Sequence, residues 1–342
     1  MKAQLVSRTD TLTREEWLEL RTKGIGGSDA GILMGVSPYK SRFGLWAEKT
    51  GNATSTFSGN EATEWGHDLE LLVAQKYAKR TNAQVLAWPV MLAHPKFPFM
   101  QANVDFFIVE GEEEYFPKGE VTQWNNSSKP SENIVAILEI KTTGIATRGD
   151  ARGWEGDKVP QSYVWQGAHY AAVTGISKVV YAALVGGQGL QIRERTFPKT
   201  TLDLLIREED TFWEQVQKGA QPDPVGNDDD FALLKEMYPL SNSEEATADH
   251  DIIKAVQVYR HTKAQIAELE GAMKEARAKI EHYMGAADTL VDEAGNVLLT
   301  YKSNKTGTAL DVKALTDAHP ELIEKYQVTK PGARVLRIKE EK

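Results

Sequence analysis

Two charged side chains stand two residues apart at the end of an apolar run, Ile134-Val-Ala-Ile-Leu-Glu139-Ile-Lys141. On an extended chain, positions i and i+2 leave the same face, so Glu139 and Lys141 aim at one place while Leu138 and Ile140 point away. Same-face opposite charges are commonplace on exposed strands, and the pair alone says little. Its setting says more. Charge at the end of a buried strand is costly unless paired or bound to a metal, and an upstream apolar segment, Asn103-Val-Asp105-Phe-Phe-Ile, offers a second acid. Two carboxylates beside a lysine suit metal-assisted phosphodiester hydrolysis, because a hard divalent cation on oxygen ligands activates water, neutralises phosphate and stabilises the leaving oxygen. In that chemistry Asp105 and Glu139 are the expected Mg²⁺ ligands, joined by the Ile140 carbonyl. Lys141 orients the attacking water or helps to deprotonate it.

A second cluster lies near the N-terminus, where Arg21 is followed by Gly24-Ile-Gly-Gly-Ser28-Asp-Ala-Gly. A helix start with free amides and a nearby arginine makes an anion site, although a turn capped by Ser28 explains the same residues. The segment is not a phosphate loop, lacking Gly-Lys-Ser/Thr, nor a dinucleotide fingerprint, lacking a preceding strand. His67 and His169 fall on amphipathic helical segments and receive no role. Trp124 and Trp154 are read as exposed aromatics able to stack on bases, against the commoner use of Trp in packing.

The 342 residues contain no cysteine, which removes disulfides, thiolate zinc sites, cysteine nucleophiles and cysteine-ligated iron–sulfur clusters together. A net charge of -9 argues against a surface that is basic all over, but a polyanion responds to the local field of a groove. Acid is concentrated in 110–120, 203–214 and 223–245, whereas 325–342 carries six Lys or Arg against two Glu. No apolar run approaches the roughly 20 residues of a membrane span. The first residues lack the apolar core of an export signal, so a cytoplasmic location is expected.

The elements that must position these residues follow from periodicity and breakers. Helices are predicted over 14–21, after Ser28, over 41–49 and over 61–80, the last with Trp65, Leu69, Leu72, Val73 and Tyr77 as its apolar stripe. Strands are predicted at 85–92, 100–109 and 134–141, with a surface hairpin or loop at 111–133. A helix at 161–173, strands at 178–184 and 191–197 and a helix at 199–218 complete a mixed sheet flanked by helices. Gln221-Pro-Asp-Pro and the acidic run after it mark a boundary, giving domains 1–222 and 223–342. In the second, residues 249–284 form a long helix with Ile252, Val256, Tyr259, Ile266, Leu269, Met273, Ala276 and Ile280 on its apolar side. Core packing is the default reading of that side and a coiled-coil arm the alternative. A hairpin turning at Glu293-Ala-Gly-Asn and a last strand at 334–339 follow.

With these pieces in place the chain resembles, over roughly residues 14–215, the YqaJ viral recombinases, relatives of bacteriophage lambda exonuclease within the PD-(D/E)xK nuclease superfamily. Trp17-Leu-Glu-Leu-Arg21 with Gly24-Ile-Gly-Gly-Ser28 resembles the N-terminal motif, in which the arginine and serine hold a DNA phosphate. Trp65-Gly-His-Asp-Leu-Glu70 resembles the helix whose glutamate enters the metal site. Asn103-Val-Asp105 and Leu138-Glu139-Ile-Lys141 match the core motif, and Tyr163-Val-Trp-Gln166 the helix whose glutamine supports the site. The resemblance implies an α/β restriction-endonuclease-like core with a C-terminal helix and small β appendage. It also implies catalysis with Mg²⁺, two ions, replaceable by Mn²⁺, and a 5′→3′ exonuclease acting on double-stranded DNA ends. The products would feed recombination by single-strand annealing, with a partner annealing protein and a homo-oligomer such as a ring-shaped trimer. Two features depart from the family: the gap between Asp105 and Glu139 is long, and the part after about residue 225 has no counterpart in the compact lambda enzyme. A RecB-like or structure-specific endonuclease, or a degenerate module that binds DNA ends, are the other readings of the same residues.

Overall fold

The computed structural model describes residues 2–38, 40–53, 61–126, 133–144, 153–328, 332 and 334–339. The chain runs through β1 (Gln4–Arg8), α1 (Arg14–Thr22), α2 (Gly27–Leu33), α3 (Arg42–Lys49) and α4 (Glu61–Thr81) before reaching its main sheet. Local signals set the helix starts. Thr13 and Glu16 form a reciprocal capping box before α1, and the Ser41 side chain accepts the Gly44 N–H at the head of α3.

The sheet is built from β2 (Gln84–Ala87), β5 (Phe106–Glu110), β6 (Val121–Gln123), β7 (Asn133–Thr143), β8 (Lys178–Val185) and β9 (Gly189–Thr196), in the order β6-β2-β5-β7-β8-β9. Its β2–β6 and β7–β8 pairs are parallel and the others antiparallel, so the sheet is mixed. The long central β7 is covered on both faces, which accounts for its near-continuous apolar run. Ala136, Leu138 and Ile140 pack with Val73, Ala74, Tyr77 and Ala78 of α4. Ile137 turns the other way, into a core shared with α5 (Gln161–Thr174). α6 (Lys199–Lys218) and α7 (Asp228–Met237) follow the sheet, and α7 is fastened to α3 by a buried hydrogen bond from Ser41 Oγ to Asp230 Oδ1 at 2.5 Å.

Several expectations change. The 85–92 run breaks at Trp88-Pro89, where proline offers no N–H to a ladder, and its second half becomes β3 (Val90–Ala93), which pairs with β1 in a separate small sheet. The 100–109 run breaks likewise, into β4 (Gln101–Asn103) of that small sheet and β5 of the large one. In the 111–133 excursion β6 joins the main sheet and Phe116 is buried, so that part is built in; residues 127–132 lie outside the described residues. On α4 the stripe is narrower than expected, with Trp65 57% and Leu72 59% exposed.

The chain divides into two compact units, Met1–Tyr238 and Pro239–Lys342. The division falls after α7 rather than at 222/223, because the acidic start of α7 is used locally. Asn227 caps that helix, and Asp230, fully buried, accepts from Val225 N–H and Ser41. The second unit holds α8 (His250–Met284), the hairpin β10 (Thr289–Val291) and β11 (Val297–Thr300), and two short helices, α9 (Val312–Ala318) and α10 (Pro320–Tyr326). Residues 334–339 carry no strand, and the apolar side of α8 is exposed instead of packed.

Candidate active site

The break between β4 and β5 puts Asp105 where the chain leaves one ladder for the other. Its Oδ2 accepts the backbone N–H of Ile140 at 2.8 Å. The N–H and C=O of a strand residue leave on the same side, so the Ile140 carbonyl also faces the β5 side, beyond the last β5–β7 pair at Phe106 and Leu138. Glu139 shares the α5 face of the sheet with Ile137 and is fully buried. Its Oε1 accepts from Lys141 Nζ at 2.5 Å, while its Oε2, equally buried, has no hydrogen-bond partner among the described residues. Lys141 Nζ also lies 4.9 Å above the Tyr163 ring of α5, which holds the ammonium by cation–π attraction.

Burial, and after it the charge of Asp105, push the Glu139 carboxyl up to about 8. The same two causes, in the same order, lift Glu70 on α4 to about 7, with His67 Nδ1 at 3.6 Å acting the other way. Burial raises Asp105 too, against the pull of Lys141 and the Ile140 N–H. At Lys141 burial disfavours the charged form, but Glu139 and Asp105 outweigh it and raise its pKa, so the ammonium keeps its charge. Burial holds all three acids toward protonation, and the charge of Asp105 adds to it at Glu139 and Glu70, around one fixed cation; a further cation would relieve that condition. Among the described residues no three acids or imidazoles close a complete cage for a metal. The fit rests on the buried, unpartnered Oε2 of Glu139, an atom whose desolvation nothing offsets, beside the hard oxygen donors of Asp105.

Gln166 donates to the Tyr170 hydroxyl at 3.0 Å. Tyr170 is buried beneath α2, where a Cβ on Gly27 would meet its ring at 2.4 Å. Burial first, then the charges of Glu139 and Asp105, raise its pKa well above the usual phenol value.

The N-terminal cluster is assembled as well. Arg21 Nη2 donates to Ser28 Oγ at 2.5 Å, and the guanidinium lies 5.2 Å from the Trp17 ring centroid. Beneath them Asp29, missed by sequence reasoning, accepts from Lys49 Nζ at 2.9 Å and from the Gly26 N–H at 3.0 Å, with Arg21 at 3.7 Å. Burial alone would raise the Asp29 carboxyl, but Lys49 and Arg21 bring it down to about 2. Arg21 keeps a third of its side chain exposed, so its outer face is open to an anion.

His169, given no role above, makes a buried ion pair with Glu209 at 2.8 Å, and its Nε2 faces the Gln101 carbonyl at 2.8 Å. With acceptors at both ring nitrogens the imidazolium is favoured, and burial's opposing effect is overcome. The pair joins α5, α6 and β4. Trp154 and Trp124 are not exposed platforms: Trp154 is 3% exposed and packs near Tyr163, and Trp124 stacks on Phe116. Trp154, Tyr163, Thr143 and Pro38 line a cleft beside Lys141. Tyr163 and Tyr170 lie in the helix motif Tyr163-Val-Trp-Gln166-Gly-Ala-His-Tyr170 but received no role from the sequence, because an aromatic on a packed helix carries no chemical signature of its own.

An acid at a strand switch, with Glu-x-Lys on the adjoining strand of a mixed, helix-flanked sheet, is the arrangement of a PD-(D/E)xK core. The chain belongs to the YqaJ family: the model of the YqaJ-like viral recombinase domain matches residues 16–177, an interval that contains every site residue from Arg21 to Gln166. The chain is 32% identical over 333 residues to the uncharacterized protein YqaJ of Bacillus subtilis (strain 168), covering 95% of this chain and 94% of that one. Among solved structures it is similar to the alkaline exonuclease LHK-Exo of Laribacter hongkongensis, at a TM-score of 0.46 and 18% identity over 60% of this chain and 93% of that one. The same exonuclease in complex with dAMP is similar at 0.46 and 16% identity, over the same shares of each chain.

Proposed function

We propose that the protein is a divalent-metal-dependent exonuclease acting on double-stranded DNA ends. The observation that carries the reading is the buried Glu139 carboxylate, one oxygen on Lys141 and the other without a partner among the described residues, beside Asp105. Asp105, Glu139, Glu70 and the Ile140 carbonyl are the residues that would hold Mg²⁺, as two ions, or Mn²⁺ in its place. Such a cation supplies an activated water and neutralises charge on the phosphate and leaving oxygen.

The chain's own residues do the remaining work. Lys141, kept protonated by Glu139 and Asp105 and steadied on the Tyr163 ring, orients the attacking water and stabilises charge on the phosphate, a role for a fixed cation rather than a base. Gln166 and Tyr170 keep α5 and α2 in register over the site. Arg21 and Ser28 bind the 5′-terminal phosphate, with Asp29 and Lys49 fixing the loop that presents them. This supports 5′→3′ polarity and products suited to recombination by single-strand annealing alongside an annealing protein, from a homo-oligomer.

End-labelled linear duplex and closed circles, incubated with Mg²⁺ or Ca²⁺, test the reading against a Glu139→Ala variant. Mononucleotides released from linear DNA by the unaltered protein alone are expected. Cutting of circles would transfer the site to an endonuclease, and the absence of metal-dependent cleavage would sink the enzymatic reading.

A further inference from the structure

Along α8, Ile252, Tyr259, Ile266, Met273 and Ile280 recur every seven residues. Ala255, Thr262, Leu269, Ala276 and Tyr283 recur at the same interval, three residues later. Five uninterrupted repeats exceed the three or four that mark a coiled coil. The large members of this seam are open to solvent, from 37% at Ile280 to 80% at Tyr283. The unit's own contacts fall on another side of the helix, where Met284 is buried, Val256 and Glu281 are half-buried, and Arg260 donates to the Lys339 carbonyl at 2.7 Å.

What covers the seam follows from the order of sizes along it. In a parallel pair each residue faces its own copy, so Ala255, Thr262 and Ala276 would make hollow layers while the Tyr259 and Tyr283 layers would be overfull. In an antiparallel pair the first series faces the second. Ile252 then meets Tyr283, Tyr259 meets Ala276, Ile266 meets Leu269, Met273 meets Thr262 and Ile280 meets Ala255. Every small residue acquires a large partner, and the five pairings, each made twice across the two-fold, fill about 50 Å of helix at 1.5 Å per residue. In this register Lys263, on the flank of the seam, lies nearest Glu270 of the opposite helix, and Glu270 nearest its Lys263, so the charges are self-complementary.

We propose that α8 is a self-association helix that pairs antiparallel with α8 of a second copy of this chain. The pairing is separate from the nuclease site and does not depend on the nuclease reading. The absence of cysteine makes a direct test available on the full chain. Ala255→Cys and Ile280→Cys variants are prepared separately and treated with a short bismaleimide, singly and after mixing under exchange. Covalent dimers are expected in the mixture and not in either variant alone. Dimers from the single variants would show parallel pairing, and none in any sample would show no pairing; either overturns the proposal. Independently, Ile266→Asp with Leu269→Asp is expected to halve the particle mass by light scattering while leaving DNA cleavage unchanged, and an unchanged mass would also overturn it.

Discussion

The Asp105 carboxylate accepts the N–H of Ile140 at 2.8 Å, so an acid at the head of β5 is tied to the residue between Glu139 and Lys141. Asp105 therefore has two roles that one substitution can part. Asp105→Asn keeps an oxygen for the Ile140 N–H and removes the charge that helps to raise Glu139. Cleavage is expected to be lost, with the metal-free protein melting no lower than the unaltered one. A melting temperature several degrees lower would make Asp105 chiefly a structural residue.

Lys141 has the companion prediction. Because it is held protonated by Glu139 and Asp105, Lys141→Ala removes a fixed cation, and a loss of about 10²–10³-fold in kcat is expected, the scale of a deleted electrostatic donor. Binding of DNA ends, followed by fluorescence anisotropy in Ca²⁺, should persist. A Lys141→Ala enzyme of normal rate would remove the lysine from the mechanism.

The raised acids give a pH dependence with a definite sign. Glu70, raised to about 7, and Glu139, raised to about 8, keep protons in the folded chain that the unfolded chain releases. Their contribution to stability is present below about pH 4.5 and is lost as pH rises through 7 and 8. The metal-free protein should accordingly lose stability across that window. Mg²⁺ needs these groups ionised, so its affinity should climb by about tenfold per pH unit for each proton displaced. Calorimetric titrations in two buffers of different ionisation enthalpy would read the proton release directly, and an affinity flat from pH 6 to 9 would contradict it.

Asp29 carries the opposite sign. Lowered to about 2 by Lys49 and Arg21 against its burial, it contributes stability above the ordinary carboxylate value near 4, lost as pH falls through about 2. Its partner Lys49 is 2% exposed. Lys49→Met should cost about 3–5 kcal/mol in urea unfolding, since it leaves a buried charge without its main partner. Arg21→Ala, at the open edge, should cost far less stability while erasing the preference for 5′-phosphorylated over 5′-hydroxyl ends. An unchanged preference would take Arg21 out of the phosphate pocket.

Spacing made the core of the site legible. Glu139 and Lys141 had to share a face, and the apolar run of β7 had to be buried; a helix does start at the glycine cluster, but Gly26 and not Ser28 is its cap, with Ser28 in the first turn and Asp29 accepting the Gly26 N–H. Three things escaped for physical reasons. Asp29 and Lys49 are distant in sequence and carry no pattern, so their pairing exists only once α3 folds against α2. The strand breaks at Pro89 and Asp105 divide runs whose apolar alternation continues across them, because both halves are buried in different sheets. The seam of α8 read as core because periodicity reports an apolar side without saying what covers it.

The same substitution should have opposite effects at two glycines. At Gly27, where α2 begins, an added Cβ would stand 2.4 Å from the ring of Tyr170, which is 5% exposed and bonded to Gln166. Neither the ring nor the helix start has room to retreat, and Gly27→Ala should cost about 1–3 kcal/mol, as overpacking does. The first turn of α2 also carries Ser28 and Asp29, so the preference for 5′-phosphate should weaken with it. At Gly271, in the middle of α8, nothing lies within 4 Å of the added carbon, and the position points away from the Ile266 and Leu269 seam. There alanine removes only the backbone freedom that glycine loses on folding, and Gly271→Ala should strengthen the helix by about 0.8–1.0 kcal/mol. Thermal melts at the helical circular dichroism band would distinguish the two. Stabilisation by Gly27→Ala would mean that Tyr170 is free to move, and that it does not set the position of α2 over the site.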